Sequence, residues 1–240
     1  MAVTAVQGID TFTTTNGPIS ITPTLGSAST AGNLLVMHVC ASGTSPTITL
    51  PAGWTTVSNI ANATLACAIF SFPNNTGGIT GVSVTVSAPN GGAVASIIEF
   101  AGVGASAYQF ATNVVTQNGT GPTLARDPVV SAGAQGQLIY TAIGFQAATF
   151  TPTGASAEWN FVPVIGGAVS TTATTNAQHQ ALWGITSYAS PLLTATLGSA
   201  VTYIVITCHF NNVGSMPFSG CQVGGSGGSI TPFYQGMIGG

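Results

Sequence analysis

"GNLLVMHVCA" occupies Gly32–Ala41, and "GQLIYTAIGF" occupies Gly136–Phe145. Both open on a glycine and a polar residue and then run through apolar and β-forming side chains. Such short runs, bounded by turn residues, mark buried strands rather than helices. The echo extends outward. "PAGWTTV" from Pro51 is loosely answered by "PTGASAEWNFV" from Pro152, and "ATLACAIFSF" from Ala63 by "AQHQALWGITSY" from Ala177. "VTVSAPNGGAVASIIEFAGV" from Val84 is then answered by "LTATLGSAVTYIVITCHFNNV" from Leu193. The order of elements is the same in each half, which points to a duplicated unit of four or five strands. One such unit has an apolar face that it cannot bury alone, so pairing with its twin would close two layers.

The expectation is an all-β protein, an antiparallel β-sandwich of jelly-roll type over residues 1–213, with pseudo-repeated halves at about 1–115 and 116–213. Two tandem small domains are the second organisation, and only the polar "NVVTQNGTGPTLARDP" resembles a linker between the halves. Alternation is clear in "GVSVTVSAP", where Val82, Val84 and Val86 share a face, and in "TYIVITCHF", where Ile204, Ile206, Cys208 and Phe210 do. "NNTGG", "APNGG", "NGTGP" and "TNGP" read as turns. From Gly214 the pattern stops, and residues 214–240 form a glycine-rich arm with Met216, Phe218, Phe233, Tyr234 and Met237 scattered along it. Docking of this arm on a neighbouring subunit and simple disorder are the two readings of that composition.

Charge is the outlier. The 240 residues include one Arg and no Lys, and the formal net charge is −3. An ordinary domain is about a quarter charged. Nucleic-acid binding needs clustered cations to displace counterions, a P-loop and a Schiff-base enzyme each need a lysine, and anionic membranes need a basic patch. A chain with so little repulsion between copies favours association. No apolar run reaches the about 18 residues of a membrane helix, and the N-terminus "MAVTAVQGIDTF" lacks the pattern of a secretion signal.

Candidate chemistry is sparse. Cys40, Cys67 and Cys208 lie in apolar strand-like runs and read as free core thiols, with a bridge to Cys221 as the alternative. Neither His38 nor His179 has a second histidine at metal spacing. Glu99 and His209 hold matching positions in the two closing strands, each facing away from Phe100 or Phe210, and read as exposed polar residues or a pseudo-symmetric pair. Asp127 beside Arg126 reads as a solvated pair, and Glu158 as a turn residue. The GxSxG match at Gly224–Gly228 sits in the low-complexity tail, without the strand and helix that a nucleophile elbow needs. No catalytic residue, metal site or cofactor is expected. Trp54 and Trp159 follow matching turns, where an aromatic either fills a sandwich end or stacks on a sugar.

Together "GNLLV", "PAGWTTV", "AIFSF", "GVSVTVS", "AVASIIEFAGV" and "GQLIY" resemble a β-sandwich family common in bacteriophage virion proteins and some bacterial surface proteins. The resemblance covers most of residues 30–210 and departs from the family at Ala101, where an Arg is usual. It implies a non-enzymatic structural protein exposed on the virion, assembled in the host cytoplasm beside copies of itself and other virion proteins. A many-copy capsid decoration or cement subunit is the leading expectation. A tail adhesin for a host glycan and a subunit of a secreted filament are the alternatives.

Overall fold

The computed structural model describes residues 3–13, 15–103, 111–126, 138–146, 150–155, 160–162, 178–185 and 193–210. Among these the chain forms strands and no helix: β1 (Thr4–Thr13), β2 (Ile19–Ile21), β3 (Leu34–Thr49), β4 (Thr55–Ala61), β5 (Leu65–Phe72), β6 (Val84–Ala101), β7 (Ala111–Arg126), β8 (Leu138–Phe145), β9 (Phe150–Ala155), β10 (Asn160–Val162), β11 (Gln178–Ile185) and β12 (Leu193–Phe210).

The strands make two antiparallel sheets. The first has the order β1-β6-β3-β5-β4 with β2 paired to β6, and the second β7-β12-β8-β11-β10 with β9 paired to β12. The strand orders correspond: β3 and β8, which begin in the two echoing stretches, hold the centre of their sheets. Consecutive strands stay within one sheet, whereas a jelly roll sends them to opposite layers. Residues 113–126 of the segment that reads as a linker lie in strand β7, which pairs along β12 from Arg126–Leu193 to Ala111–Phe210.

Several expected turns are strand interior. "APNGG" lies inside β6, and "NGTGP" inside β7. β3 and β6 run past each other through matching irregularities, between Ala41 and Gly43 and between Gly43 and Thr47. At a bulge both partners bend without ending their ladder. Glycine, proline and asparagine therefore mark a bend shared by two long strands here, rather than a reversal of the chain.

One cluster joins the sheets. Leu34, Val36, Cys40, Cys67, Ile69, Ile98 and Phe100 of the first sheet pack with Leu138, Tyr140, Ile204, Ile206 and Phe210 of the second. Full burial of such a side chain contributes about 1.5–3 kcal/mol. A second cluster lies on the other face of the first sheet, where Leu35, Met37, Val39, Phe70, Ala95 and Ile97 are covered by Ile21, Leu25, Trp54, Ile79 and Val82. β3 is therefore buried on both faces, which is why "LLVMHVCA" is continuous rather than alternating. The alternation of "GVSVTVS" is real: Val84 and Val86 are buried while Ser83 and Thr85 are exposed.

Candidate functional site

Buried polar groups are the informative exceptions in so apolar a body, because each must find a partner or cost free energy. Glu99 is fully buried on β6. Its Oε1 accepts from the Thr30 backbone N–H at 2.8 Å and from Asn33 Nδ2 at 2.6 Å, and its Oε2 accepts from Gln7 Nε2 at 2.6 Å. Gln7 in turn accepts through Oε1 from the Ser27 N–H at 3.1 Å and the Ser27 hydroxyl at 3.0 Å. From the other side, Asn75 Nδ2 donates to the carbonyls of Thr30 at 3.0 Å and Asn33 at 2.6 Å. Asn75 Oδ1 accepts from Ser29 Oγ at 3.0 Å and Gly77 N at 2.8 Å. The segment that leads into β3 is thus held between one carboxylate and one amide. Gly32 lies in that segment with φ of +86°, a conformation that favours glycine.

A second polar row crosses the layer between the sheets. Asp10 of β1 is in register with Ser96 of β6, and Ser96 with His38 of β3. Directly opposed residues of an antiparallel pair share a face, so the three form a line across three strands. His38 Nδ1 shares a hydrogen bond of 2.7 Å with the hydroxyl of Tyr140, which reaches across from β8. Phe100 packs edge-on against Tyr140, with ring centroids 6.3 Å apart. Burial, and then the nearby Asp10, Cys208 and Cys67, push the Tyr140 hydroxyl well above its ordinary range. Aspartate, serine and histidine do meet here. The serine, however, sits between the other two, and His38, Ser96 and Tyr140 are fully buried. Such a row fixes how the two sheets lie on each other.

The thiols are equally enclosed. Cys40, Cys67 and Cys208 are free and buried, in accord with the sequence. Cys40 stands opposite Cys67 in the β3–β5 register. Its hydrogen bond with Cys67 and its burial both raise its pKa, and burial raises that of Cys208. Thiols held protonated in this way are weak nucleophiles. Trp54 is 7% exposed and packs against Phe72, ring centroids 5.7 Å apart, so it is part of the second cluster and offers little ring face to a sugar. Trp159, Glu158, Asp127, Cys221 and the arm residues Met216, Phe218, Phe233, Tyr234 and Met237 lie outside the described residues.

Glu99 and His209 do face away from Phe100 and Phe210, but both are buried rather than solvated. The sequence count was right about direction and wrong about environment, because it assumed that each sheet has one covered face. Glu99 bonds to Gln7, Thr30 and Asn33 and makes no pair with His209. Neither ring nitrogen of His209 has a hydrogen-bond partner among the described residues, and burial lowers its pKa from the ordinary 6.5. A depressed imidazole binds its proton more weakly in the folded chain than in the unfolded one. Stability is then indifferent to pH while both forms are neutral, and falls as pH drops below about 6.5. His209→Leu is expected to flatten that acid limb. Melting temperatures of the two proteins between pH 7.5 and 5.5 measure it, and parallel curves would dismiss His209 as the cause.

No metal-binding group of three or more His, Cys, Asp or Glu occurs among the described residues. No protein-family model matches the chain, and no curated protein and no solved structure is significantly similar to it.

Proposed function

We propose that this chain is a non-enzymatic structural subunit, built from a duplicated β-unit and present in many copies on the surface of a bacteriophage virion as a capsid decoration or cement protein. One observation carries the reading: the chain has almost no charge, and the two acidic side chains of the described body are drawn into it rather than left on its surface. Of only five charged residues in 240, Glu99 is fully buried and Asp10 is half-buried in the row to His38. A surface of neutral polar groups can pack against neighbours without stripping water from ions, which costs several kcal/mol per charge. The matching strand order of the two sheets supports duplication. The virion assignment rests on the resemblance of the strand and turn motifs.

The test is stoichiometry. Quantitative mass spectrometry of purified particles that carry the chain is expected to find it at a number comparable to the major capsid protein, in the hundreds. A handful of copies per particle would overturn the decoration reading in favour of a tail component.

A further inference from the structure

We infer that the exposed edge of β1 is an interface that pairs with β1 of a second copy, related by a two-fold axis normal to the sheet. The inference rests on the many-copy reading and supplies the surface through which copies meet. β1 ends its sheet, with β6 on one side and no strand on the other among the described residues. It carries Val6, Ile9 and Phe12, exposed by 41%, 36% and 51%, three of the four exposed large apolar side chains among the described residues. The other described edge of that sheet, β4, carries none.

Proteins protect free edges with lysine, proline, short strands or charges. β1 is ten residues long, "TAVQGIDTFT", with neither lysine nor proline. One bulge interrupts it, between Ala5 and Gln7, and the ladder from Gln7 to Thr13 is continuous. Its single charge, Asp10, is in register with Ser96 and has buried carboxyl oxygens, so it does not guard the edge. A row of unpaired N–H and C=O groups calls for a strand as its partner. The sparse charge of this chain makes its own β1 an unrepelled one.

The sequence also selects a register. A two-fold axis normal to the sheet keeps each face on its own side, so the numbers of opposed residues must sum to an even value. A sum of 20 sets Asp10 against Asp10, which like charge disfavours. A sum of 16 sets Ile9 against Gln7 and Val6 against Asp10. A sum of 18 sets Ile9 against Ile9 on one face, Phe12 against Val6 (the residue at the bulge) on the other, and Asp10 against Gly8, so that each apolar residue opposes an apolar partner and the carboxylate faces a glycine.

Opposed Cα atoms in such a pair lie about 4.5–5.5 Å apart, within disulfide range. In the full-length chain with Cys221→Ser, Ile9→Cys is therefore expected to form a covalent dimer on non-reducing gels. Oxidised glutathione takes up the two electrons and two protons released by the thiols. Thr11→Cys, displaced from its own copy by four residues, should stay uncrosslinked. Ile9→Lys should weaken self-association at least ten-fold in sedimentation equilibrium while the far-ultraviolet spectrum stays unchanged. Equal crosslinking at both positions overturns the register. An oligomeric chain that resists crosslinking at Ile9→Cys overturns the β1 interface and leaves the many-copy reading standing. A chain that stays monomeric at high concentration and occurs in few copies per particle overturns both.

Discussion

Glu99→Gln is expected to destabilise the protein by about 1–3 kcal/mol, and adding Gln7→Glu is expected to recover most of the loss. The substitution changes only one oxygen to an NH₂ group, so the expected cost comes entirely from hydrogen-bond direction. Oε1 receives two N–H donors and must stay an oxygen. The new amide nitrogen would then sit where Oε2 now accepts from Gln7 Nε2, donor against donor. Gln7 cannot simply turn over, because its Oε1 accepts from the Ser27 backbone N–H, which has nothing to offer an NH₂ group. With a carboxylate at position 7, one oxygen accepts from the new amide at position 99 and the other still accepts from Ser27. Glu99→Ala removes every acceptor at once, strips the Thr30 N–H, Asn33 Nδ2 and Gln7 Nε2 of their partner, empties a fully buried position on β6, and should cost about 3 kcal/mol or more. Urea unfolding of the four proteins decides the matter. A double variant no more stable than Glu99→Gln would show that the amide orientations drawn from this network are wrong.

Glu99 also shows how far the sequence could be read. Two-residue periodicity alone gave the side of β6 on which it lies, and the same count placed Ile204, Ile206, Cys208 and Phe210 together in the cluster between the sheets. What covers the far side could not be counted. Ile21, Leu25, Ile79 and Val82, which close the second cluster, come from short or irregular segments with no period of their own. The only hint was the run at Leu34–Ala41, apolar at every position but His38, since a strand with one covered face would alternate. Trp54 was likewise open to two readings, and the cluster that encloses it decides for the packed one.

The polar row was hidden for a different reason. Asp10, Ser96, His38 and Tyr140 are separated along the chain and meet through strand register and layer packing. Parity could have placed Ser96 with Ile98 and Phe100, and His38 with Val36 and Cys40. It could not say which residues lie opposite, because a one-residue slip moves every side chain to the other face. The expected turns fail on similar grounds: "APNGG" has the composition of a reversal, and only its pairing with β3 shows a ladder that continues through register shifts.

Gly144→Ala is expected to destabilise the protein by about 1–3 kcal/mol, although alanine is ordinarily the better strand residue by about 0.5–1 kcal/mol. Cys40 and Gly144 hold the ninth place in "GNLLVMHVCA" and "GQLIYTAIGF", and the fold brings these matching positions together across the two sheets. A Cβ built on Gly144 would lie 2.5 Å from the Cys40 sulfur and 3.3 Å from the Cβ atoms of Cys40 and Cys67. One copy of the repeat therefore supplies a sulfur and the other the space that it fills. Neither β3 nor β8 can withdraw, because each is hydrogen-bonded on both sides. Cys40→Ala alone should cost about 1 kcal/mol, the loss of one buried group of methylene size. In the double variant the worst contact is gone and the two remaining at 3.3 Å need a shift of only a few tenths of an ångström. The double variant should therefore be more stable than the sum of the single changes by about 1–2 kcal/mol, the coupling expected of residues that share one packing site. Additive losses in denaturant unfolding would mean that the sulfur and the glycine do not meet, and that the two sheets lie on each other in a different register.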